Sequence, residues 1–345
     1  MSTTGNGSVT LADVARHAGV SLATASRVLN GSTGRTVGAA FRERVLRSAE
    51  LLGYSPNAQA QAVARGASNL VGLVVHDISD PYFAAIAAGV TEAAEDLDTT
   101  VVLASTRQRR ERELEYLATL RAHRARAIVM VGSRWDDRAY QARVAREIDA
   151  YRRAGGRVAA VSQDRLGVDT VQPLNRAGAR DLARALVDLG HRSFAMLGGP
   201  EGLLTARDRV RGFREGLRDG GVGGEVPVVD GTFTRDGGHD AMSRLLAAGA
   251  RPGCVFAVND VMAVGAMAAL REHGLSVPDD VAVAGFDDIE TLRDVTPALT
   301  TVALPLREMG RQAAQMALDP DPSGPRLVRV RGEVILRDST KLVTA

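Results

Sequence analysis

Acidic and amide side chains follow several short apolar runs in the long C-terminal part of the sequence. They are Asp77 after residues 70–75, Asn259 and Asp260 after residues 254–258, and Asp287 after residues 281–286. If these runs are strands of parallel sheets, their carboxyl ends are where ligands bind. Carboxylate and amide groups exchange hydrogen bonds with polar ligands, so the spacing predicts a binding site for a small polar molecule.

These residues form no recognisable catalytic pattern. Asp287 and Asp288 are adjacent carboxylates, but neighbours on an extended chain point to opposite faces. No G-x-S-x-G elbow, P-loop or G-x-G-x-x-G motif after the first apolar run is present. The six histidines lack metal-ligand spacing, and we expect His17 and His191 at the surface. The sequence therefore predicts a protein that is not an enzyme and needs no cofactor or metal.

Two series of strand–helix alternation must position the binding residues. The first has apolar runs at 70–75, 100–105, 127–131 and 158–162, separated by helical stretches at 82–97, 109–122 and 136–154. The second has runs at 193–197, 226–230, 254–258 and 281–286. Such alternation predicts parallel sheets covered by helices on both faces. Two series indicate two Rossmann-like lobes, with strand ends facing each other across a cleft.

Composition limits the class of protein. The chain has 345 residues, is 45% hydrophobic and 24% charged, and has a single cysteine, Cys254. This balance is typical of a globular protein of two or three domains. Cys254 excludes an intramolecular disulfide and is expected to be buried in a strand. No apolar run approaches the ~20 residues of a membrane span and no secretory signal is visible, so we expect a cytoplasmic protein without membrane contact.

Charge is distributed unevenly along the chain. Residues 1–66 contain seven arginines against three acidic residues, a formal charge of +4, whereas the total of +2 leaves −2 for the remainder. A basic front on a slightly acidic body indicates that the front contacts a polyanion.

The basic front has the pattern of a helix-turn-helix. Residues of a first helix recur at helical spacing and face inward: Leu11, Val14, Ala15 and Ala18. Thr10 and Asp13 form a capping pair, Gly19 permits a tight turn, Val20 fills it and Ser21 caps the second helix. A third helix is predicted over 41–52, with Gly53 as its stop and these residues inward: Phe41, Val45, Ala49 and Leu52.

The second helix is the predicted DNA-reading element. Its inward residues are Ala25, Val28 and Leu29, and its outward residues are Leu22, Ala23, Ser26 and Arg27. In the major groove Leu22 and Ala23 offer apolar contacts, for example to thymine methyl groups. Arg27, together with Ser26 and Thr24, is a candidate for hydrogen bonds to phosphates or bases. The alternative is a generic helical hairpin with a solvated Arg27.

The segments VTLADVARHAGVSLATASRVLNGS and RERVLRSAELLGYSPN resemble the headpiece of the LacI/GalR (lactose-repressor) family of bacterial transcription regulators. The resemblance extends over essentially the whole chain. It implies an all-α helix-turn-helix headpiece over 1–55, a hinge helix and linker over 56–68, and a two-lobed α/β domain over 69–345. The last resembles periplasmic binding proteins of type I and would bind the effector and form the dimer. The implied DNA-contacting residues are Thr10, Ser21, Leu22, Ala23, Thr24, Ser26, Arg27, Asn30, Tyr54, Asn57, Ala60 and Val63.

The stretch PNAQAQAVARG, residues 56–66, has small apolar residues and is too short to be a stable isolated helix. In the family this segment folds on DNA, paired with its dimer mate in the minor groove, which suits a weak helix. Val63 stands where a wedging Leu is usual, and Gln61 where Arg is usual. A Val63→Leu variant is therefore expected to bind specific DNA more tightly.

The body also matches family patterns. HDISDPYF resembles D-I-S-N-P-F/Y-F, and LLTARDRVRGF resembles S-A-x-x-R-x-x-G-F. The resemblance implies that Arg209 holds hydroxyls or a carboxylate and that Phe233 stacks on the ligand. The implied effector-binding residues are Asp77, Tyr82, Phe83, Asp164, Arg209, Phe233, Asn259 and Asp287. Individually they have simpler interpretations, such as a helix cap for Asn259 or Asp287, a solvated Arg209, or core positions for the two aromatics.

The sequence thus predicts a transcription repressor that binds a palindromic double-stranded operator as a homodimer. A small molecule between the lobes, a sugar or sugar derivative, would control its DNA affinity. A purine or another small polar ligand remains open, as does the choice between inducer and corepressor. The alternatives are a two-lobed sugar-binding protein without regulatory DNA binding, which the basic front opposes, and an enzyme on the same fold, which lacks catalytic residues here.

Overall fold

The computed structural model describes residues 9–30, 37–55, 68–319 and 324–342. The chain divides into two compact units, Met1–Ser68 and Asn69–Ala345. The predicted hinge helix, with Asn57, Ala60, Gln61 and Val63, lies outside the described residues. Within the described ranges, none of the helices combines the length and the apolar character that a membrane span requires.

Three helices build the first unit: α1 Leu11–Ala18, α2 Leu22–Asn30 and α3 Ala39–Leu51. Thr10 and Asp13 form the predicted capping box at the start of α1, and Gly19 ends it at φ 60° and ψ 40°. The Ser21 hydroxyl accepts a hydrogen bond from the Thr24 amide at 3.1 Å, so Ser21 caps α2. Together α1, the glycine turn and α2 form the predicted helix-turn-helix.

Small side chains make the core of this unit: Val14, Ala15, Ala18, Ala25, Val45 and Ala49. The prediction that Phe41 packs inward is wrong, because its side chain is 50% exposed. Phe41 lies in the first turn of α3, where the short side chains of α1 and α2 do not cover a large ring. It stacks instead with Arg44, whose guanidinium carbon lies 5.0 Å from the ring centroid.

The second unit begins with a six-stranded, fully parallel sheet of order β11-β5-β4-β3-β1-β2. Its strands are β1 Leu70–Val75, β2 Thr100–Ser105, β3 Ala127–Val131, β4 Arg157–Val161, β5 Asp169–Pro173 and β11 Leu327–Val330. The helices of this first lobe are α4 Pro81–Glu95, α5 Arg110–Ala122, α6 Arg138–Arg153 and α11 Leu306–Leu318.

A four-stranded parallel sheet of order β7-β6-β8-β9 forms the second lobe. Its strands are β6 Phe194–Gly198, β7 Val228–Asp230, β8 Cys254–Ala257 and β9 Ala282–Ala284. Its helices are α7 Asn175–Asp188, α8 Leu204–Asp219, α9 Arg235–Ala247 and α10 Asp260–Glu272, followed by a 3₁₀ turn at Glu290–Asp294. An antiparallel pair, β10 Thr301–Ala303 and β12 Glu333–Ile335, lies where the chain passes between the lobes. The predicted pair of lobes with parallel sheets is therefore confirmed.

Burial agrees with the sequence at Cys254 and differs at His191 and β2. Cys254 is fully buried in β8, as predicted. The expectation of a surface His191 is wrong: its side chain is buried near the Phe194 ring, and burial lowers its pKa. The chain turns back into the sheet directly after α7, and this turn covers His191. Strand β2 leaves Val102 and Leu103 each 41% exposed, although its sequence resembles a core strand.

Candidate ligand cleft and nucleic-acid interface

A cavity between the two lobes collects most of the predicted ligand-binding residues. It encloses about 380 Å³ of space, part of which is open to solvent. The first lobe contributes His76, Asp80, Tyr82, Phe83, Gly132 and Ser133, and the second contributes Thr205, Arg209, Phe233, Asn259 and Asp287. Six of the eight residues predicted to bind an effector thus line one cavity.

The strand ends explain this convergence. His76 directly follows β1, Gly132 and Ser133 follow β3, and Asn259 comes two residues after β8. These loops lie at the carboxyl edges of parallel sheets, where α/β proteins bind ligands. Asn259 is 3% exposed, and its side chain also caps α10 by accepting a hydrogen bond from the Met262 amide. The capping and cleft-lining interpretations of Asn259 therefore both hold.

Arg209 is held at the cavity by a buried ion pair with Asp287. Two of its nitrogens donate to the two carboxylate oxygens, at 2.6 and 3.1 Å, and both side chains are at most 5% exposed. The guanidinium also donates to Asn175 Oδ1 at 2.8 Å and to the Val258 carbonyl at 2.7 Å, and its carbon lies 3.8 Å from the Phe286 ring centroid. Four of its five N–H groups are thus engaged within the protein.

The backbone at Asp287 is strained. Its φ is 121°, a left-handed value that residues other than glycine rarely adopt. Its amide donates to the Val302 carbonyl at 2.9 Å, which fixes the chain at this turn. Burial raises the pKa of Asp287, and Arg209 opposes that effect. The next carboxylate, Asp288, pairs with Arg337 at 2.7 Å, so the two adjacent carboxylates do not act on one site.

Asp80 is a second carboxylate at the cavity. It is the N-cap of α4, and its Oδ1 accepts a hydrogen bond from the Tyr82 amide at 3.0 Å. Burial raises the pKa of Asp80 to about 7, and the charges of Asp287 and Asp77 add to the effect. Sequence reasoning missed Asp80, although it stands in the HDISDPYF stretch between two residues that were proposed.

Aromatic rings and a neutral histidine form the first-lobe wall. Tyr82 and Phe83 meet edge to face with centroids 5.0 Å apart, and Phe83 lies 5.8 Å from the His76 ring. Burial lowers the pKa of His76 to about 4, and the nearby Arg134 charge acts in the same direction. His76 is therefore uncharged at neutral pH. A side chain at Gly132 would collide with the imidazole, because a Cβ there would lie 2.7 Å from Nε2.

Hydrogen bonds join the lobes beside the cavity. The Thr205 amide donates to Ser133 Oγ at 3.0 Å, and Gln163 Nε2 donates to Thr205 Oγ1 at 2.8 Å. Next to them, Trp135 and Leu203 form an isolated antiparallel bridge. The start of α8, which carries Arg209, is thereby attached to the loop after β3.

Two predicted residues are placed elsewhere. Asp77 is half-buried and accepts two hydrogen bonds from Ser79, and Asp164 is exposed; neither lines the cavity. Asp260 lies behind the site, fully buried, and accepts hydrogen bonds from Thr301 and the Ile289 amide.

The sequence analysis missed five residues that line the cavity: His76, Asp80, Gly132, Ser133 and Thr205. The first four lie in segments that follow strands, and this position is the signal that could have identified them. Among the described residues, no group of three His, Cys, Asp or Glu side chains is arranged to hold a metal ion.

The first unit presents a separate surface on α2. The exposed side chains are Ser21, Leu22, Ala23 and Arg27, whereas Thr24 and Ser26 are half-buried. Thr10 is exposed and its hydroxyl donates to Asp13, while Tyr54 is half-buried against the core and Asn30 ends the helix. On α3, Arg42, Arg44 and Arg47 add exposed positive charge. A polar and basic helix surface of this kind suits contact with DNA.

Comparison with known proteins matches both units. Residues 10–57 match the family model of bacterial regulatory proteins of the lacI family, and residues 183–340 match the periplasmic binding protein-like domain. The transcriptional regulator GalR of Escherichia coli is 34% identical over 310 residues, which cover 90% of this chain and 88% of GalR.

Solved structures extend the match to the whole fold. The lac repressor dimer bound to operator and the anti-inducer ONPF superposes with a TM-score of 0.80 at 28% identity, covering 97% of this chain and all of the repressor chain. The regulator CelR in complex with cellobiose gives a TM-score of 0.70 at 30% identity, covering 96% and 99% of the two chains. The chain therefore belongs to the lacI family of bacterial DNA-binding transcription regulators.

Proposed function

We propose that the protein is a transcription repressor whose affinity for a palindromic operator is controlled by a sugar or sugar derivative bound between its lobes. The observation that carries the proposal is a cavity at which aromatic rings of both lobes meet an arginine–carboxylate pair and an amide of the second lobe. We divide the protein functionally into a headpiece over 1–55, a hinge and linker over 56–68, and a ligand-binding and dimerising domain over 69–345.

The chemistry of the cavity favours a carbohydrate. Phe233 and Tyr82 offer flat apolar faces, which suit the C–H faces of a sugar ring. Asn259, Asp287 and the remaining N–H of Arg209 offer a donor and acceptor set for hydroxyl groups. The relative CelR, with its bound cellobiose, supports the same class of ligand.

Ligand binding acts through a shift between lobe arrangements. Tyr82 and Phe83 belong to one lobe, and Arg209 and Phe233 to the other, so a ligand that contacts all four favours one arrangement of the lobes over others. If operator DNA prefers a different arrangement, the ligand is an inducer; if it prefers the same one, the ligand is a corepressor. The protein acts in the cytoplasm, where its operator is, and performs no catalysis.

DNA recognition is assigned to α2 of each protomer. Its exposed Leu22 and Ala23 contact base edges in the major groove, and Ser21, Thr24, Ser26 and Arg27 contact phosphates or bases. Thr10, Asn30 and Tyr54 contribute at the edges of this surface. The hinge residues Asn57, Ala60 and Val63 are assigned to the minor groove by resemblance to the family.

Fluorescence anisotropy with the full chain tests the proposal. We expect tight, salt-dependent binding to DNA from upstream of its own gene, with scrambled DNA at least tenfold weaker, since specific sites exceed non-specific binding by on the order of 10³-fold or more. Arg27→Ala should weaken specific binding, whereas Arg293→Ala, at an exposed pair far along the chain, should leave it unchanged.

A sugar panel added to the same assay tests the ligand. A sugar that shifts operator binding of the wild type should have less effect on Phe233→Ala, which keeps the headpiece intact but loses the apolar face. Equal and weak binding to the upstream DNA and to the scrambled DNA would contradict the proposed regulation of an operator. Strong operator binding that no sugar alters, together with a response to a purine, would contradict the ligand class only.

A further inference from the structure

The carboxylate of Asp80 faces the cavity without a counter-charge. Its Oδ1 accepts the Tyr82 amide at 3.0 Å, and no ion pair joins it to any residue that the structure describes. Its side chain is half-buried, at a position that lines the cavity. An ionised carboxylate in such a place needs a donor from elsewhere, because desolvation without compensation is costly.

Arg209 does not supply that counter-charge. Its guanidinium is occupied by both oxygens of Asp287, by Asn175 and by a backbone carbonyl. The Arg209–Asp287 pair is therefore neutral as a unit, and one N–H remains for a ligand. With His76 uncharged, the ionisation of Asp80 sets the charge of the cavity lining: its carboxylate is about half ionised near its pKa of about 7, and at pH 8 it gives the lining a net negative charge.

The groups around the cavity do not reverse this sign. Asp77 precedes Asp80 in the same loop, and Asp260 lies buried behind Asp287 on the opposite lobe. Beneath His76, the buried Arg134 is paired with Glu113 at 2.5 Å, and Glu113 also accepts the Tyr140 hydroxyl. The charged side chains nearest the cavity are thus either negative or paired with an opposite charge.

Resting on the proposed function, we propose that Asp80 makes the cleft select a neutral or amine-bearing sugar, and reject sugars that carry a carboxylate or phosphate. A ligand hydroxyl or ammonium group donates to the free oxygen of Asp80, while Phe233 and Tyr82 contact the ring. An anionic group placed beside Asp80 would meet a like charge at a half-buried position, where water screens the repulsion less than it does at the surface.

Matched sugars test this selectivity on the full-length protein at pH 8, above the pKa of Asp80. The panel comprises glucose and galactose with their 2-amino, uronate and 6-phosphate forms, and cellobiose as a neutral disaccharide. Binding is followed by titration calorimetry and by the fluorescence of Trp135, the single tryptophan of the sequence, which lies at the bridge between the lobes. We expect neutral or amino forms to bind on the order of tenfold or more tightly than the anionic forms of the same ring.

Asp80→Asn is the informative variant, because asparagine keeps the N-cap acceptor of α4 while removing the charge. It should reduce the discrimination against uronate and 6-phosphate forms about tenfold. Glu95→Gln, which removes an exposed charge near the other end of the same helix, should leave the discrimination unchanged. Binding of an anionic form as tight as that of its neutral parent to the wild type would overturn the proposal.

A ligand-free measurement separates this inference from the proposed function. If Asp80 is uncompensated, Asp80→Asn should raise the melting temperature at pH 8 and have a smaller effect at pH 5, while Glu95→Gln changes neither. An unchanged or lowered melting temperature at pH 8 would overturn the charge assignment even if no sugar of the panel binds. Should the temperature rise while no sugar binds and operator binding persists, the assignment of Asp80 stands and the carbohydrate ligand of the proposed function is refuted.

Discussion

At the scale of single residues, the ion pair of Arg209 and Asp287 is the feature with the largest energetic consequence. We expect Arg209→Met to lower the free energy of unfolding by about 3–5 kcal/mol, because it leaves a buried, unpaired carboxylate. Arg209→Met combined with Asp287→Asn should recover much of that loss, since the charge is then removed too. Urea unfolding of the two single variants and the double variant measures the coupling.

An exposed pair provides the control for this cycle. Arg293 and Glu290 interact at 3.4 Å with both side chains at least 80% exposed, so Arg293→Met should change stability by less than about 1 kcal/mol. A loss of stability in Arg209→Met no larger than in Arg293→Met would show that the buried pair is not maintained in solution.

His76 gives a prediction about pH. Its pKa in the folded protein is about 4, against an ordinary value of 6.5. The stabilisation from this depressed pKa is fully present above pH 6.5 and is lost as pH falls toward 4, because the unfolded chain then takes up the proton first. As the pH falls from 6.5 to 4, the wild type should lose on the order of 3 kcal/mol of unfolding free energy through His76. His76→Gln should not show this loss.

The stability difference between wild type and His76→Gln is measured by urea unfolding at pH 7.5 and pH 4.5. His17→Gln serves as the comparison, because His17 is exposed on α1. A difference at His76 that does not change between the two pH values would contradict a neutral, buried imidazole.

The sequence predicts which residues line the cavity better than it predicts how their side chains are paired. Residues after strands could be assigned to the cleft because parallel strands place their carboxyl ends together. The occupation of Arg209 by Asp287 depends on side chains 78 positions apart, and no local pattern encodes it. The family resemblance alone assigns Asp164 to the cleft, and the structure leaves it exposed outside the cavity.

At the scale of elements, strands within the regular strand–helix alternation are predictable and strands outside it are not. Strands β1 to β4 and β6 to β9 lie within about two residues of the predicted runs. Strands β5, β10, β11 and β12 are missing from the prediction because they fall outside that alternation, and β10, β11 and β12 pair with segments far away in the chain. β11 joins β5 from 157 residues further along the chain, at Leu327 opposite Thr170, and thus completes the first lobe from the C-terminal end.

Packing of α4 on α11 depends on glycine at the contact. A Cβ at Gly89 would lie 1.8 Å from the Arg307 carbonyl oxygen, and one at Gly310 would lie 2.1 Å from that of Ile86. We expect Gly89→Ala to destabilise the protein by about 1–3 kcal/mol or more, because the helices must separate. Thermal or urea unfolding measures this change.

Gly223→Ala is the matched substitution, because a Cβ there meets no atom within 4 Å. It should be neutral or slightly stabilising, since alanine restricts the unfolded chain. Similar behaviour of the two variants would mean that α4 and α11 do not pack closely in solution.

At the scale of the whole molecule, β2 is the surface that suits a second copy. It is the edge strand of the six-stranded sheet, and its Val102 and Leu103 are each 41% exposed. Leu97, in the segment before β2, is 46% exposed, and Ile78, after β1, is 40% exposed. Apolar side chains on an unpaired strand edge promote association, and proteins that remain monomeric usually protect such edges with charge. A repressor of a palindromic operator needs two protomers, because each headpiece reads one half-site.

We therefore expect Leu103→Glu to dissociate the proposed dimer into monomers and to weaken operator binding, because it would place a charge in the proposed apolar contact between protomers. Analytical ultracentrifugation measures the dissociation and anisotropy the DNA affinity, and an unchanged melting temperature at low protein concentration shows that the fold is intact. Leu336→Glu, at a residue 46% exposed on another part of the body, controls for added charge. A Leu103→Glu protein that remains a dimer with full operator affinity would place the dimer contact elsewhere, and an intact dimer that loses DNA binding would show that β2 transmits the arrangement of the lobes instead of joining the protomers.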